Sequence, residues 1–117
     1  MNMRSYDDDD NVLNLFKLLA DKNRYNIIRH LNMQEDCVCT MAESLDMDQS
    51  LLSHHLKKLS TEGLVQTRKV GSWVHYSLNV ETFKRFEEQF KRELSIENYS
   101  PSLCVDHEAC KKLTEVK

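Results

Sequence analysis

A helix-turn-helix motif is predicted by residues 40–63, which read TMAESLDMDQSLLSHHLKKLSTEG. Thr40 followed by Glu43 forms a capping box, which predicts a short helix that starts near residue 41. Asp48 can cap a second helix, and Gly63 stands where that helix is expected to stop. The second helix has a buried stripe of leucines at i, i+4 and i+7, namely Leu52, Leu56 and Leu59. Two helices joined by about three residues, the second polar on its outer face, are typical of this motif.

Two further helices are predicted before the motif. Apolar residues at helical spacing indicate a first helix over about residues 9–20, after the acidic run of residues 7–10. Asp21 can cap the next helix, whose core-facing residues are expected to be Tyr25, Ile27, Ile28 and Leu31. Residues 32–36 are expected to form a polar break.

A β-hairpin and a last helix are predicted after the motif. The runs 65–69 and 73–78 are rich in β-forming residues and are joined through Gly71. The last helix is marked by apolar residues at spacings of three, four and four: Phe83, Phe86, Phe90 and Leu94. The order of elements predicts a mainly α fold with a β-hairpin wing, a winged helix-turn-helix domain.

Composition agrees with one small helical domain. The chain has 117 residues, 40% of them hydrophobic, with two glycines and one proline, too few for a fold built on many tight turns. We expect an acidic N-terminal arm at 1–10, the winged domain at 11–95 and a cysteine-containing C-terminal tail at 96–117. No run approaches the ~18 to 20 apolar residues of a membrane span, and no nucleophile–base set or phosphate loop indicates an enzyme or an organic cofactor.

Local charge favours DNA as a partner although the net charge is −3. Residues 53–76 carry four Lys or Arg against one Glu, and phosphate binding responds to local charge. The polar face of the second motif helix can read base edges, while cations there and on the hairpin can contact phosphates or the minor groove. The predicted DNA-binding residues are Gln49, Ser50, Ser53, His54, Lys57, Lys58, Arg68 and Lys69. His55 is expected at the edge of the core.

A homodimer is predicted from the apolar first and last helices. The candidate interface residues are Val12, Leu13, Phe16, Phe83, Phe86, Phe90 and Leu94. A twofold dimer would match a palindromic DNA site. The alternative is that these side chains complete the core of the monomer.

The four cysteines are Cys37, Cys39, Cys104 and Cys110. Because no export signal precedes them, we expect reduced thiols in a cytoplasmic protein rather than two disulfides. The Cys-x-Cys pair lies beside a helix start, where the helix dipole favours thiolates. Two such thiolates suit arsenic(III), antimony(III), cadmium or lead, and Cys104 or Cys110 can supply a third sulfur. The alternative is a pair of buried structural cysteines.

Several segments together resemble the ArsR/SmtB family, over about residues 11–95. They are EDCVCT (35–40), LSHHLKKL (52–59), EGLV (62–65) and RKVGSWVHYSL (68–78). The resemblance implies a dimeric winged-helix repressor that releases operator DNA when it binds a metal or metalloid.

Within that family the Cys-x-Cys pair resembles the arsenite-responsive and the cadmium- or lead-responsive members. Ala42 stands where well-known arsenite repressors have a third cysteine, and the N-terminal arm lacks the cysteine of the cadmium type. Residues 80–94 contain no histidine, so the zinc or nickel site of the last helix is missing, and His107 in the tail is a weak ligand candidate. Tail cysteines resemble those of other arsenite-type members. A thiol redox or persulfide sensor and a metal-buffering protein without an operator are the competing hypotheses.

Overall fold

The computed structural model describes residues 12–101, which contain five α-helices and a three-stranded antiparallel sheet. The elements are α1 (Val12–Leu19), α2 (Lys22–Met33), β1 (Asp36–Cys37), α3 (Val38–Leu45), α4 (Gln49–Thr61), β2 (Val65–Val70), β3 (Trp73–Leu78), α5 (Val80–Leu94) and a 3-10 turn (Ile96–Asn98). This order confirms the predicted winged helix-turn-helix fold. The acidic arm, Cys104, His107 and Cys110 lie outside the described residues. No helix within 12–101 is long and apolar enough to cross a bilayer.

The core forms around helix α4. Its three leucines (Leu52, Leu56 and Leu59) are fully buried, as their spacing predicts. They pack in one cluster with Ile27 of α2, Met41 of α3 and Phe86 of α5. Burial of such side chains is the main stabilising contribution to a domain of this size.

The predicted helix ends at Asp21, Asp48 and Gly63 are confirmed. The Asp21 carboxylate accepts hydrogen bonds from two backbone amides of α2, and Asp48 accepts from two of α4. Gly63 follows α4 with φ +83°, a left-handed conformation that glycine adopts without steric cost. These ends fix the direction in which the chain leaves α4 for the hairpin.

Helix α2 differs from its prediction in two respects. Tyr25 is exposed rather than in the core, and the guanidinium of Arg29, one turn along, lies over its ring at 5.7 Å from the centroid. The predicted polar break begins later than residue 32, because the helix continues to Met33. Burial of Ile27, Ile28 and Leu31 keeps this last turn helical.

The capping box predicted at Thr40 is wrong. Helix α3 begins at Val38, so its N-cap is Cys37, with extended backbone (φ −99°, ψ 167°), and Thr40 lies inside the first turn. The physical reason is the strand β1, which was not predicted. Asp36 pairs with Tyr76 and Cys37 with His75 of β3, and this pairing ends where the helix begins.

His55 is a buried histidine on α4, as expected for a residue at the core edge. It is 6% exposed, and its Nδ1 has no hydrogen-bond partner among the described residues. Desolvation by burial lowers the pKa of His55. The carboxylate of Asp21, the N-cap of α2, raises this pKa, whereas the charges of Arg24 on α2 and of neighbouring His54 lower it further. The folded state therefore prefers a neutral imidazole at this position.

Acidification is expected to destabilise the protein through His55. Below the unfolded-state pKa of about 6.5 the unfolded chain takes up a proton that the folded chain resists, so the free energy of unfolding falls as pH decreases toward the lower folded-state pKa. Urea unfolding followed by circular dichroism at pH 8 and pH 5.5 measures this loss. His55→Leu should reduce it, whereas His54→Gln, at the exposed neighbouring position, should not. An unchanged loss in His55→Leu would refute the assignment.

Candidate nucleic-acid interface and thiol site

Helix α4 exposes the side chains that were predicted to read DNA. All six are exposed: Gln49, Ser50, Ser53, His54, Lys57 and Lys58. Two of them already have partners in this structure. The Ser50 hydroxyl donates to Asp48 at 2.7 Å, and the Lys58 ammonium lies 3.5 Å from the Glu62 carboxylate.

Asp48 limits what the N-terminus of α4 can bind. Its carboxylate accepts from the backbone amides of Ser50 and Leu51, at 3.1 and 3.3 Å, and from the Ser50 hydroxyl. These hydrogen bonds, the one from Ser50 first, lower the pKa of Asp48. Because a carboxylate occupies these amides, a DNA phosphate cannot bind them while the cap is formed.

The hairpin supplies the other predicted DNA contacts. Lys69 is exposed on β2. Arg68 is also exposed but forms an ion pair with Glu35, in the loop between α2 and β1. His75, which is paired with Arg68 across the hairpin, has its Nδ1 3.8 Å from the same Glu35 oxygen. A predicted DNA contact is thus tied to the loop that precedes Cys37.

Cys37 lies at the junction of β1 and α3, and its thiol is chemically primed. The Thr40 hydroxyl is 3.3 Å from Cys37 Sγ, and this hydrogen bond is the largest of the effects that lower the pKa of Cys37. The nearby Asp36 carboxylate opposes it by raising the pKa. The net effect is a lowered pKa, which increases the fraction of thiolate, the form that binds soft ions and reacts with electrophiles.

Asp36 organises the same junction. It accepts from Nε2 of His30 at 2.8 Å and from the backbone amide of Cys37 at 2.8 Å, and it also bonds the Thr40 hydroxyl. These contacts lower the pKa of Asp36 against the opposing effect of its burial, which is the largest single one. One carboxylate thereby connects helix α2, strand β1 and helix α3.

Cys39 is exposed in the first turn of α3, while Cys37 is half-buried. The alternative of two buried structural cysteines therefore does not fit. Within residues 12–101 no group of three His, Cys, Asp or Glu side chains is placed to hold a metal ion. The two other predicted ligands, Cys104 and Cys110, lie outside the described residues, so a third ligand stays a prediction.

The predicted dimer residues divide into buried and exposed groups. Val12 and Phe86 are buried within the chain itself, and Phe83 is half-buried against the core. Leu13, Phe16, Phe90 and Leu94 are 43 to 54% exposed. The rings of Phe16 on α1 and Phe90 on α5 meet edge to face at 6.4 Å, so the two helices present one apolar surface. The candidate dimer interface is therefore reduced from the seven predicted residues to these four exposed ones.

Removal of the Thr40 hydroxyl is expected to raise the pKa of Cys37. Thr40→Val keeps the shape of the side chain but removes its hydrogen bond to Sγ, so alkylation of Cys37 by iodoacetamide near pH 7 should slow. The rate against pH would be measured in a variant whose only cysteine is Cys37. In a second variant that retains only Cys39, Thr40→Val should have a smaller effect. Equal slowing of both thiols would contradict the specific role of this hydrogen bond.

Comparison with known proteins identifies the family. Residues 21–67 match the bacterial regulatory protein, arsR family. An arsenical resistance operon repressor of Staphylococcus xylosus is 36% identical over 99 residues, which are 85% of this chain and 88% of that protein. The arsenical resistance operon repressor of Escherichia coli is 44% identical over 68 residues, 57% of this chain and only 58% of that relative.

A solved structure agrees with the sequence comparisons. Reduced HlyU from Vibrio cholerae is 33% identical and superimposes with a TM-score of 0.55, covering 69% of this chain and 86% of that chain. Regulatory proteins of this family are not enzymes, which confirms that part of the prediction. The long match to the staphylococcal repressor and the shared fold show that the chain belongs to the arsR family of bacterial regulatory proteins.

Proposed function

We propose that this chain is a cytoplasmic transcriptional repressor that binds operator DNA as a homodimer. Arsenic(III) or antimony(III) releases the DNA by binding the thiolates of Cys37 and Cys39. The observation that carries the proposal is the position of Cys37, a thiol of lowered pKa. It lies at the junction between strand β1, which pairs with β3 of the wing, and helix α3, which packs against α4. The names of the staphylococcal and E. coli relatives support an arsenical effector.

DNA binding is supported by the exposed face of α4 and by the charge of the hairpin. Gln49, Ser53 and His54 are exposed and can hydrogen-bond base edges in the major groove. Lys57 and Lys69 can pair with phosphates, which position a protein on the duplex without reading sequence.

Dimerisation is supported by the apolar surface of α1 and α5. Leu13, Phe16, Phe90 and Leu94 are too large and too exposed for a surface that faces water only. A twofold dimer buries them and brings two copies of α4 to successive turns of the same DNA groove.

Thiolate chemistry favours a soft trivalent effector. Arsenic(III) and antimony(III) are satisfied by three sulfur ligands in a pyramid, two of them from Cys37 and Cys39, while Cys104 or Cys110 is the proposed third. Cadmium or lead can use the same pair and is the alternative effector. A redox or persulfide sensor is the second candidate function, because the lowered pKa of Cys37 also promotes reaction with oxidants.

Two structural routes can carry the signal from the thiols to the DNA-reading elements. Helix α3 packs against α4, so a shift of the first turn of α3 can displace α4, the helix proposed to read DNA. Strand β1 pairs with β3, and Glu35, two residues before Cys37, holds Arg68 on the hairpin. A coupling free energy of about 1 to 3 kcal/mol is enough for a 5- to 150-fold change in affinity.

Loss of either thiol of the pair should abolish release without abolishing DNA binding. Cys37→Ser and Cys39→Ser are expected to bind operator DNA like the wild type and to stay bound when arsenite is added, because two sulfurs no longer chelate the ion. Fluorescence anisotropy of a labelled duplex, titrated with arsenite, antimonite, cadmium, lead and a persulfide donor, measures both properties.

The same titrations separate the alternatives. Cys104→Ser or Cys110→Ser should weaken the arsenite response if that residue supplies the third ligand. Release by oxidant in metal-free buffer would favour the redox sensor. A wild-type arsenite response in both Cys37→Ser and Cys39→Ser would refute the thiol-sensor proposal, and metal binding without DNA affinity would favour a metal-buffering protein.

Glu35→Gln should weaken the coupling between thiols and wing. Loss of the charge frees Arg68 for phosphate, so the metal-free protein is expected to bind DNA roughly 1.4- to 5-fold more tightly, the range of an exposed ion pair of about 0.2 to 1 kcal/mol. The ratio of dissociation constants with and without arsenite should also fall. The matched control is Glu62→Gln, which frees Lys58 on α4 far along the chain from the thiols.

The control decides the interpretation. Glu62→Gln is expected to tighten DNA binding by a similar factor while the arsenite ratio stays at its wild-type value. If Glu35→Gln also leaves that ratio unchanged, the contact between Glu35 and Arg68 has no part in the response.

A further inference from the structure

The end of the hairpin carries an exposed tryptophan that the predicted DNA contacts do not include. Trp73 is the first residue of β3 and is 56% exposed, and Val70, its partner across the hairpin, is 39% exposed. Large apolar side chains grouped on a surface usually mark a site of interaction. Because tryptophan is among the residues least suited to a purely solvated turn, we expect a binding partner to cover this side chain.

Strand register assigns Trp73 to the outer face of the sheet. Val70 pairs with Trp73 and Arg68 with His75, and paired residues of an antiparallel sheet lie on the same face. The other face contains Val65, Tyr76 and Leu78, which pack on the core. Trp73 therefore shares a face with the cation Arg68, away from the body of the domain.

The charge around Trp73 indicates a polyanion as the partner. Between Gly63 and Val80 the sequence has no Asp or Glu, and its only charged residues are Arg68 and Lys69. Lys69 is exposed and pairs with Val74 on the opposite face of the hairpin, one position along from the pair of Val70 and Trp73. Because Arg68 is already paired with Glu35, Lys69 is the cation of the tip that is offered to a phosphate. An apolar ring on one face of the tip and a cation on the other suit the minor groove, whose walls are apolar sugar edges bordered by phosphates.

We propose that Trp73 is a DNA-contacting residue, whose indole packs on the deoxyribose edge of the minor groove beside the site of α4 while Lys69, on the opposite face of the hairpin, pairs with a phosphate across the groove. This inference rests on the proposed DNA binding and extends it to a residue of the wing tip. The indole offers a flat apolar face for the sugar edge or an unstacked base and one N–H donor for a groove acceptor. Such a contact adds affinity without adding charge.

Trp73 can be followed directly because it is the only tryptophan in the chain. The probe is a duplex enriched from a random-sequence pool by the full-length wild-type protein, with a scrambled duplex of equal length for comparison. Binding of the enriched duplex should quench the tryptophan emission and shift it to shorter wavelength, because the indole leaves water and approaches bases and sugars. The scrambled duplex should produce a smaller change at the same salt concentration.

Affinity and its salt dependence separate the indole from the neighbouring cation. Trp73→Ala is expected to weaken binding about tenfold, equivalent to about 1.4 kcal/mol, with the slope of log K against log salt unchanged. Trp73→Phe, which keeps an aromatic face, should recover most of the loss. Lys69→Ala should instead reduce the slope by about 1, as expected for one lost phosphate contact. Circular dichroism of each variant confirms that it is folded.

The outcomes keep this inference distinct from the proposed function. If no duplex is enriched, the proposed function fails. If a duplex is enriched and bound but Trp73→Ala binds it like the wild type and the emission does not change, the Trp73 contact is refuted and the repressor proposal stands. A third outcome is that the tryptophan emission changes with protein concentration in the absence of DNA and that Trp73→Ala has a different oligomeric state from the wild type. The tip would then contact another copy of the chain, and the inference would be overturned.

Discussion

The pairing of the two-residue strand β1 with β3 is the constraint on which the site depends. It joins Cys37 to His75, and His75 is in turn paired with Arg68 on β2, so a thiol, an imidazole and a guanidinium form one row across three strands. Because paired residues share a face, the thiol lies on the same side of the sheet as the outer face of the wing. A strand of two residues contributes little stability, so a displacement of Cys37 can disturb this pairing at low cost.

Electrostatics adapts an acidic chain to a polyanionic partner. Three acids beside the reading elements are used as intramolecular partners: Asp48 caps α4, Glu62 pairs with Lys58, and Glu35 pairs with Arg68. Two of these pairs hold cations that DNA phosphates would otherwise attract. The pair with Glu35 differs from the other because it lies beside the thiols, where a change of local structure can alter how strongly Arg68 is held.

Individual residues show which features of the fold could be predicted from the sequence and which could not. The leucine stripe of α4 and the caps Asp21 and Asp48 were predictable, because a repeat of 3.6 residues and a capping carboxylate act within a few residues of chain. Thr40 has an equally good local signal for a cap, yet it lies inside α3. A partner almost forty residues away, strand β3, holds Cys37 extended and moves the helix start to Val38. No local pattern contains that information.

By itself, the sequence determined the order of the helices and the hairpin, the leucine stripe of α4, the Cys-x-Cys pair and the basic segment, because these follow from periodicity and from residue chemistry. Only the tertiary structure decided which atoms meet. It assigned the Cys37 thiol to the Thr40 hydroxyl, Arg68 to Glu35 and Trp73 to the outer face of the wing. Those assignments depend on pairing between distant segments, whose register is fixed by the packing of the sheet against the core.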